Sequence, residues 1–217
     1  MGALGMLPLD IPPGTTLESL VTEAIPALHA RLVAAGGPSE ALTVTLRIEG
    51  RGSWTVRIRG QTMRVEEGEE RRPTLWVYTT EETAERFLED ALGPKRLLPR
   101  IHAGARVPDA GGILTMSDPL FIRRVAMASG RIEIAVLDEG GERLAMVFGL
   151  GDASRRPIDP EDPDTVVEVP IATLQAVLAG GRGPEEALAN GDVTVRGRRL
   201  LAVQLALAVA PFYPKRM

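Results

Sequence analysis

The stretch from Asp164 to Ala208 reads DTVVEVPIATLQAVLAGGRGPEEALANGDVTVRGRRLLAVQLALA. A β-rich run, Thr165 to Val169, meets Pro170. A short amphipathic helix follows, then a glycine-rich turn and GPEEALANG. A second strand, Val193 to Arg196, ends at Gly197, and an apolar helix closes the unit.

A degraded copy of this stretch begins at Thr74: TLWVYTTEETAERFLEDALGPKRLL. Moved forward by 90 positions, Trp76-Val77 falls on Val166-Val167, Phe87-Leu88 on Val177-Leu178, and Gly93-Pro94 on Gly183-Pro184. The first copy then carries the extra residues HAGARVPDAGG. The register resumes at an offset of 79, with Leu114-Thr115-Met116 over Val193-Thr194-Val195 and Phe121-Ile122 over Leu200-Leu201. Internal self-similarity outranks local propensity in deciding a fold.

The chain of 217 residues fits one large domain or two small ones. Hydrophobic content of 44% and charged content of 25% are ordinary for a globular protein. A net charge of −4 gives no global attraction to nucleic acid or to an anionic membrane. The absence of cysteine excludes disulfides and thiolate chemistry and fits a reducing cytoplasm, the expected location. The N-terminus lacks the pattern of a signal peptide, Met6 stands where myristoylation needs Ser or Thr, and the longest apolar run, Leu200 to Phe212, is too short to span a bilayer.

Residues 1–14 read as an irregular lead-in. Thr15-Thr16-Leu17-Glu18 has capping-box spacing, and Leu17, Leu20, Val21, Ala24, Ile25, Leu28 and Leu32 repeat at helical intervals. Pro26 is expected to bend that helix, which ends at Gly36-Gly37. Alternation predicts strands at Leu42–Glu49 and Ser53–Arg59, a short polar-edged strand follows at Thr62–Glu67, and the glycines between them are spaced for an antiparallel meander. Leu75–Tyr78 is a fourth strand, Glu81–Leu92 a helix, Ile113–Met116 a fifth strand and Pro119–Ala128 a helix. Only Ser129-Gly130 separates the copies. Strands follow at Arg131–Leu137 and Leu144–Phe148, then a Pro- and Asp-rich loop over Asp152–Asp164. The expected units are therefore 15–129 and 130–217, the second without a leading helix, packed closely on each other.

The order of helix, antiparallel strands, helix, G-x-hydrophobic-T-hydrophobic-x-G and final apolar helix resembles the sterol carrier protein 2 (SCP-2) family. The resemblance is carried by GSWTVRIRG, by PTLWVYTTEETAERFLEDALG, and most of all by VPIATLQAVLAGGRGPEEALANGDVTVRGRRLLAVQLALA. Gly191-Asp-Val-Thr-Val-Arg-Gly197 matches the family's strand, but Arg198 stands at its acidic position. In the first copy the corresponding run is Gly112-Ile-Leu-Thr-Met-Ser-Asp118, which lacks the closing glycine. The resemblance implies an α+β fold, two units each with a mainly antiparallel twisted sheet covered by helices. It implies a non-catalytic lipid-binding or lipid-transfer module, with an apolar cavity for a sterol, fatty acid or acyl-CoA and no cofactor. The candidate cavity wall is Trp76, Phe87, Met116, Phe121, Val125, Leu174, Leu178, Leu201 and Leu205. A helix apolar nearly all round is ordinarily buried, so each of these taken singly also reads as plain core.

The remaining features point to no chemistry. His29, off the main apolar stripe of the leading helix, and His102 have no partner at metal-ligand spacing. Gly149-Leu150-Gly151 leads into a loop rather than a helix, which excludes a dinucleotide fingerprint. Asp159–Asp164 lacks the spacing of a calcium loop. The arginine pairs 71–72, 123–124, 155–156 and 198–199 read as solvated surface that is also suited to a lipid headgroup or CoA phosphates. The alternative reading is an interaction or scaffold module of the same fold with a filled core. The alanines and glycines near the final helix would allow its close packing, and either the first half or a protein partner would cover the second sheet.

Overall fold

Alternating apolar and polar residues build one sheet. The computed structural model describes residues 14–34, 41–60, 62–92, 119–155, 160–178 and 181–209. Its strands are β1 (Leu42–Ile48), β2 (Gly52–Arg59), β3 (Thr62–Glu67), β4 (Leu75–Thr79), β5 (Gly130–Leu137), β6 (Arg143–Leu150), β7 (Thr165–Pro170) and β8 (Thr194–Gly197), ordered β3-β2-β1-β4-β6-β5-β7-β8. The β1–β4 and β5–β7 pairings are parallel and the other five are antiparallel, so the sheet is mixed but mainly antiparallel, within an α+β fold.

One pairing pattern occurs twice. An antiparallel hairpin, β1–β2 or β5–β6, carries a parallel third strand beside its first member. Val44 faces Leu75 in one instance and Ile132 faces Thr165 in the other. The outer edge of that third strand differs between the two. β7 receives β8, whereas β4 receives β6, both antiparallel. The two sheets expected from the sequence are thereby continuous through β4–β6. Both edges of β4 are occupied, by β1 and β6, so it has no free edge to take a strand as β7 takes β8. The strand expected at Ile113–Met116 lies outside the described residues.

The helices are α1 (Leu17–Ser19), α2 (Ile25–Ala34), α3 (Glu81–Leu92), α4 (Pro119–Met127), α5 (Ile171–Leu178), α6 (Pro184–Ala189) and α7 (Arg199–Val209). The first cap falls one residue later than its spacing suggested. Thr16 Oγ1 accepts from the Ser19 amide at 3.2 Å and Ser19 Oγ accepts from the Thr16 amide at 2.8 Å. Pro26 was expected to bend the leading helix. Immediately before it the chain widens into a π turn over Leu20–Ala24, with the Ile25 amide donating to the Leu20 carbonyl. An extra residue in one turn rotates the rest of the helix by about 100°. His29, expected off the apolar stripe, is 2% exposed.

Strand alternation places Trp54, Leu46, Val77, Phe148, Ile132, Thr165 and Gly197 in one register row on a single face. That face holds the core. One cluster joins Leu42, Leu75, Ile132 and Leu150 to Val125, Leu188, Leu201 and Ala202; a second joins Ile48 and Trp54 to Leu17, Val21, Ala84 and Leu88. The opposite face carries charged pairs, Glu133 with Arg143 and Glu168 with Arg196, and a small cluster of Trp76, Tyr78 and Val147. Burial pushes the Tyr78 hydroxyl pKa up, aided by a hydrogen bond with Glu49.

Gly197 ends β8 because nothing larger fits. Its φ is +84°, and a Cβ there would collide with the Asp164 carbonyl oxygen. The Arg198 amide donates to that same carbonyl at 2.9 Å, and Thr165 Oγ1 donates to the Arg198 carbonyl at 2.9 Å. The turn that launches α7 is thus tied to the start of β7.

Candidate functional site

Between sheet and helices lies a cavity of about 320 Å³. Its floor comes from alternate residues of four adjacent strands: Leu75 of β4, Phe148 and Leu150 of β6, Ile132 and Ile134 of β5, and Val167 and Val169 of β7. Its roof comes from Val125 of α4, Leu174 and Val177 of α5, Ala187 and Leu188 of α6, and Ala202, Leu205, Ala206 and Val209 of α7. Residues from both halves of the chain meet there, since Leu75 and Val125 precede the junction at Ser129-Gly130.

The space has a local cause. Three roof residues, Ala187, Ala202 and Ala206, are alanines facing bulky floor residues. Small residues near the last helix were expected to allow close packing, whereas these three border open volume. α7 is positioned by its launching turn and by α4, where an Arg124 guanidinium N–H donates to the Leu207 carbonyl. The α5–α6 turn is held by an ion pair of 2.5 Å between Arg182 and Asp192.

Among the described residues the lining is aliphatic apart from Phe148 and Thr173, and Thr173 supplies the only polar side-chain atom. Thr173 Oγ1 already donates to the Asp192 carbonyl at 3.4 Å. No charged side chain borders the cavity among the described residues. An ionised carboxylate or phosphate drawn inside would lose its hydration without finding a partner. A hydrocarbon segment would lose nothing and would remove apolar surface from water.

The candidate wall residues divide by position. Val125, Leu174 and Leu205 line the cavity. Leu201, 1% exposed, packs in the same core cluster and against Gly130 but does not border the space. Trp76 sits on the opposite face, paired in register with Thr45 and Gly149, while its neighbours Leu75 and Val77 face the cavity side. Phe87, Phe121 and Leu178 belong to α3, α4 and α5, with side chains outside the described set, and Met116 lies outside the described residues. The floor residues Leu75, Ile132, Phe148 and Leu150 were not singled out from sequence. Their signal was the strand pattern of β4 and of the β5–β6 hairpin, which marks strands without saying what lies above them.

No family model matches the chain, and no curated protein matches it. Solved structures similar to part of it include sterol carrier protein 2 from Yarrowia lipolytica in its apo form, at 13% identity and a TM-score of 0.32. That match covers 44% of this chain and 77% of the yeast chain. Sterol carrier protein 2 like 2 from Aedes aegypti matches at 17% identity and a TM-score of 0.29, over 44% of this chain and 94% of its own. Each likeness is confined to less than half of the present chain. Among the described residues, no helix is long and apolar enough to cross a membrane.

Proposed function

We propose that this protein is a non-catalytic carrier that holds the hydrocarbon part of a lipid in the cavity between its sheet and helices α4 to α7. The observation that carries the reading is the cavity of about 320 Å³ with one polar side-chain atom in its lining among the described residues. That volume is at the lower end for small-molecule sites, about 300–1,000 Å³. At roughly 30 Å³ per water-sized group, it takes about ten chain carbons. Burying ten methylenes gains about 8 kcal/mol at about 0.8 each. An association cost of about 4 kcal/mol leaves about 4 kcal/mol, a dissociation constant near millimolar, which suits a ligand that must be released again.

The duplicated pairing pattern supports reading the chain as two SCP-2-like units, 15–129 and 130–217, fused through β4–β6. A sterol, fatty acid or acyl-CoA is then the ligand class, with any charged head held outside the aliphatic lining. The filled-core alternative is disfavoured, because the alanines expected to close the core border empty space instead.

The test is displacement of a fluorescent fatty acid by straight-chain alcohols and acids of increasing length. Affinity rises about fourfold per added methylene until the chain reaches about ten carbons, then levels off. A series with no length dependence, or no displacement at any length, refutes the reading.

A further inference from the structure

We propose that the end of the sheet bearing Arg198 and Arg199 docks on an anionic membrane surface, with Met127 and Leu200 entering the headgroup layer. The choice of a membrane as partner rests on the carrier reading; the surface itself stands on independent observations.

The first is the way charges pair. Arg47, Arg51, Arg57, Arg86, Arg131, Arg143, Arg182 and Arg196 each form an ion pair with a carboxylate. Among the described residues, Arg59, Arg64, Arg71, Arg72, Arg198 and Arg199 have no such partner, and all six are exposed. The topology gathers them. Arg59 ends β2 opposite Thr62, and Arg64 follows two residues later on β3. Arg71 and Arg72 precede Thr74, whose amide donates to the Thr43 carbonyl at the head of β1. Arg198 and Arg199 follow Gly197 at the tail of β8. Strand pairing puts Leu42, Ile58, Leu75, Leu150, Gly130 and Gly197 at this same end. The unpaired arginines therefore line one rim, from β3 to β8, of about 34 Å at about 4.8 Å per strand. The acidic groups there are engaged: Asp162 pairs with Arg131, Asp164 accepts from the Arg131 amide, and Asp152 and Glu161 have interactions of their own.

The second observation is apolar. Met127 and Leu200 are 79% and 66% exposed, the most exposed large hydrophobic residues among those described. Met127 ends α4 immediately before β5, and Leu200 is the second residue of α7, so both sit at the arginine-bearing end. Arg198 links the two elements, donating to the Ser129 carbonyl at 3.3 Å. Exposed apolar side chains set among arginines match a lipid interface, where the apolar part enters and the guanidinium stays with phosphate. A nucleic acid offers nothing to Met127 and Leu200, whereas a lipid interface takes up both beside its phosphates. The cavity reaches the same end, since Leu75 begins β4 and Leu150 ends β6.

The experiment is sedimentation of the whole protein with vesicles of phosphatidylcholine alone or with phosphatidylserine added. The expected result is association with the anionic vesicles only, weakened by salt. The double variant Arg198→Glu, Arg199→Glu lowers it by about tenfold or more, and Arg71→Glu, Arg72→Glu lowers it independently. Met127→Ser with Leu200→Ser also lowers it. All three variants keep the wild-type affinity for a fluorescent fatty acid in a vesicle-free assay, which confirms folding and separates docking from cavity binding. Absence of wild-type association, or association indifferent to every variant, overturns the proposal. So does an oligonucleotide bound more tightly than the anionic vesicles.

Discussion

Replacing Ala206 by phenylalanine distinguishes an open cavity from a filled core. Ala206 lies on the face of α7 that borders the empty volume. The substitution adds six carbons, which would occupy the place of about six of the ten chain carbons the cavity can take. At about 0.8 kcal/mol per methylene, a ligand loses about 5 kcal/mol, or more than three orders of magnitude in affinity. The fold responds oppositely in the two cases. In an open cavity the ring is buried without displacing anything, and Tm is held or raised. In a packed core the same ring overpacks the structure and costs about 1–3 kcal/mol, a fall of roughly 2–12 °C in a chain of this size. Thermal unfolding and displacement of a fluorescent fatty acid are measured on one preparation. Unchanged ligand affinity, or a lowered Tm, refutes the reasoning.

Trp76→Phe tests the facing of β4: it lowers stability by about 1–2 kcal/mol in denaturant titration and leaves ligand affinity unchanged, because Trp76 lies on the other face. Gly197→Ala costs at least about 2 kcal/mol, from a left-handed backbone and a collision with the Asp164 carbonyl, whereas Gly141→Ala, with φ +82° and open space around it, costs about 1. Comparing the two midpoints isolates the collision. His29 is buried, and desolvation lowers its pKa below the usual 6.5. The unfolded chain thus takes up its proton first, so stability declines as pH falls below about 6.5. A His29→Leu variant shows a shallower decline over that window in pH-resolved unfolding, and an identical slope would contradict the assignment.

Much of the architecture was legible because it is local. Period-two alternation marked β1 and β2, and the 90-position offset made β4 the counterpart of β7 and α3 that of α5. What escaped is long-range or depends on one residue of register. Nothing in the sequence of β4 says that its second edge takes β6, since that edge is shared between strands some 70 positions apart. The run Leu75-Trp76-Val77-Tyr78 is apolar throughout, so it carries no alternation to tell which face Trp76 takes, and a one-residue shift inverts the answer. His29 escaped because the π turn rotates the helix after Leu20. Of the nine residues named for the cavity wall, Val125, Leu174 and Leu205 border it, all three on helices. The void itself arises where Ala187, Ala202 and Ala206 oppose the sheet, a coincidence of packed helices that no single stretch of sequence encodes.

Native mass spectrometry of the purified protein, followed by solvent extraction, tests the carrier account most directly. The account predicts one equivalent of added mass that leaves as a lipid, or that appears on incubation with a fatty acid of about ten carbons and is absent from the Ala206→Phe variant. An apo mass that stays unchanged with fatty acids, sterols and acyl-CoA alike would contradict it.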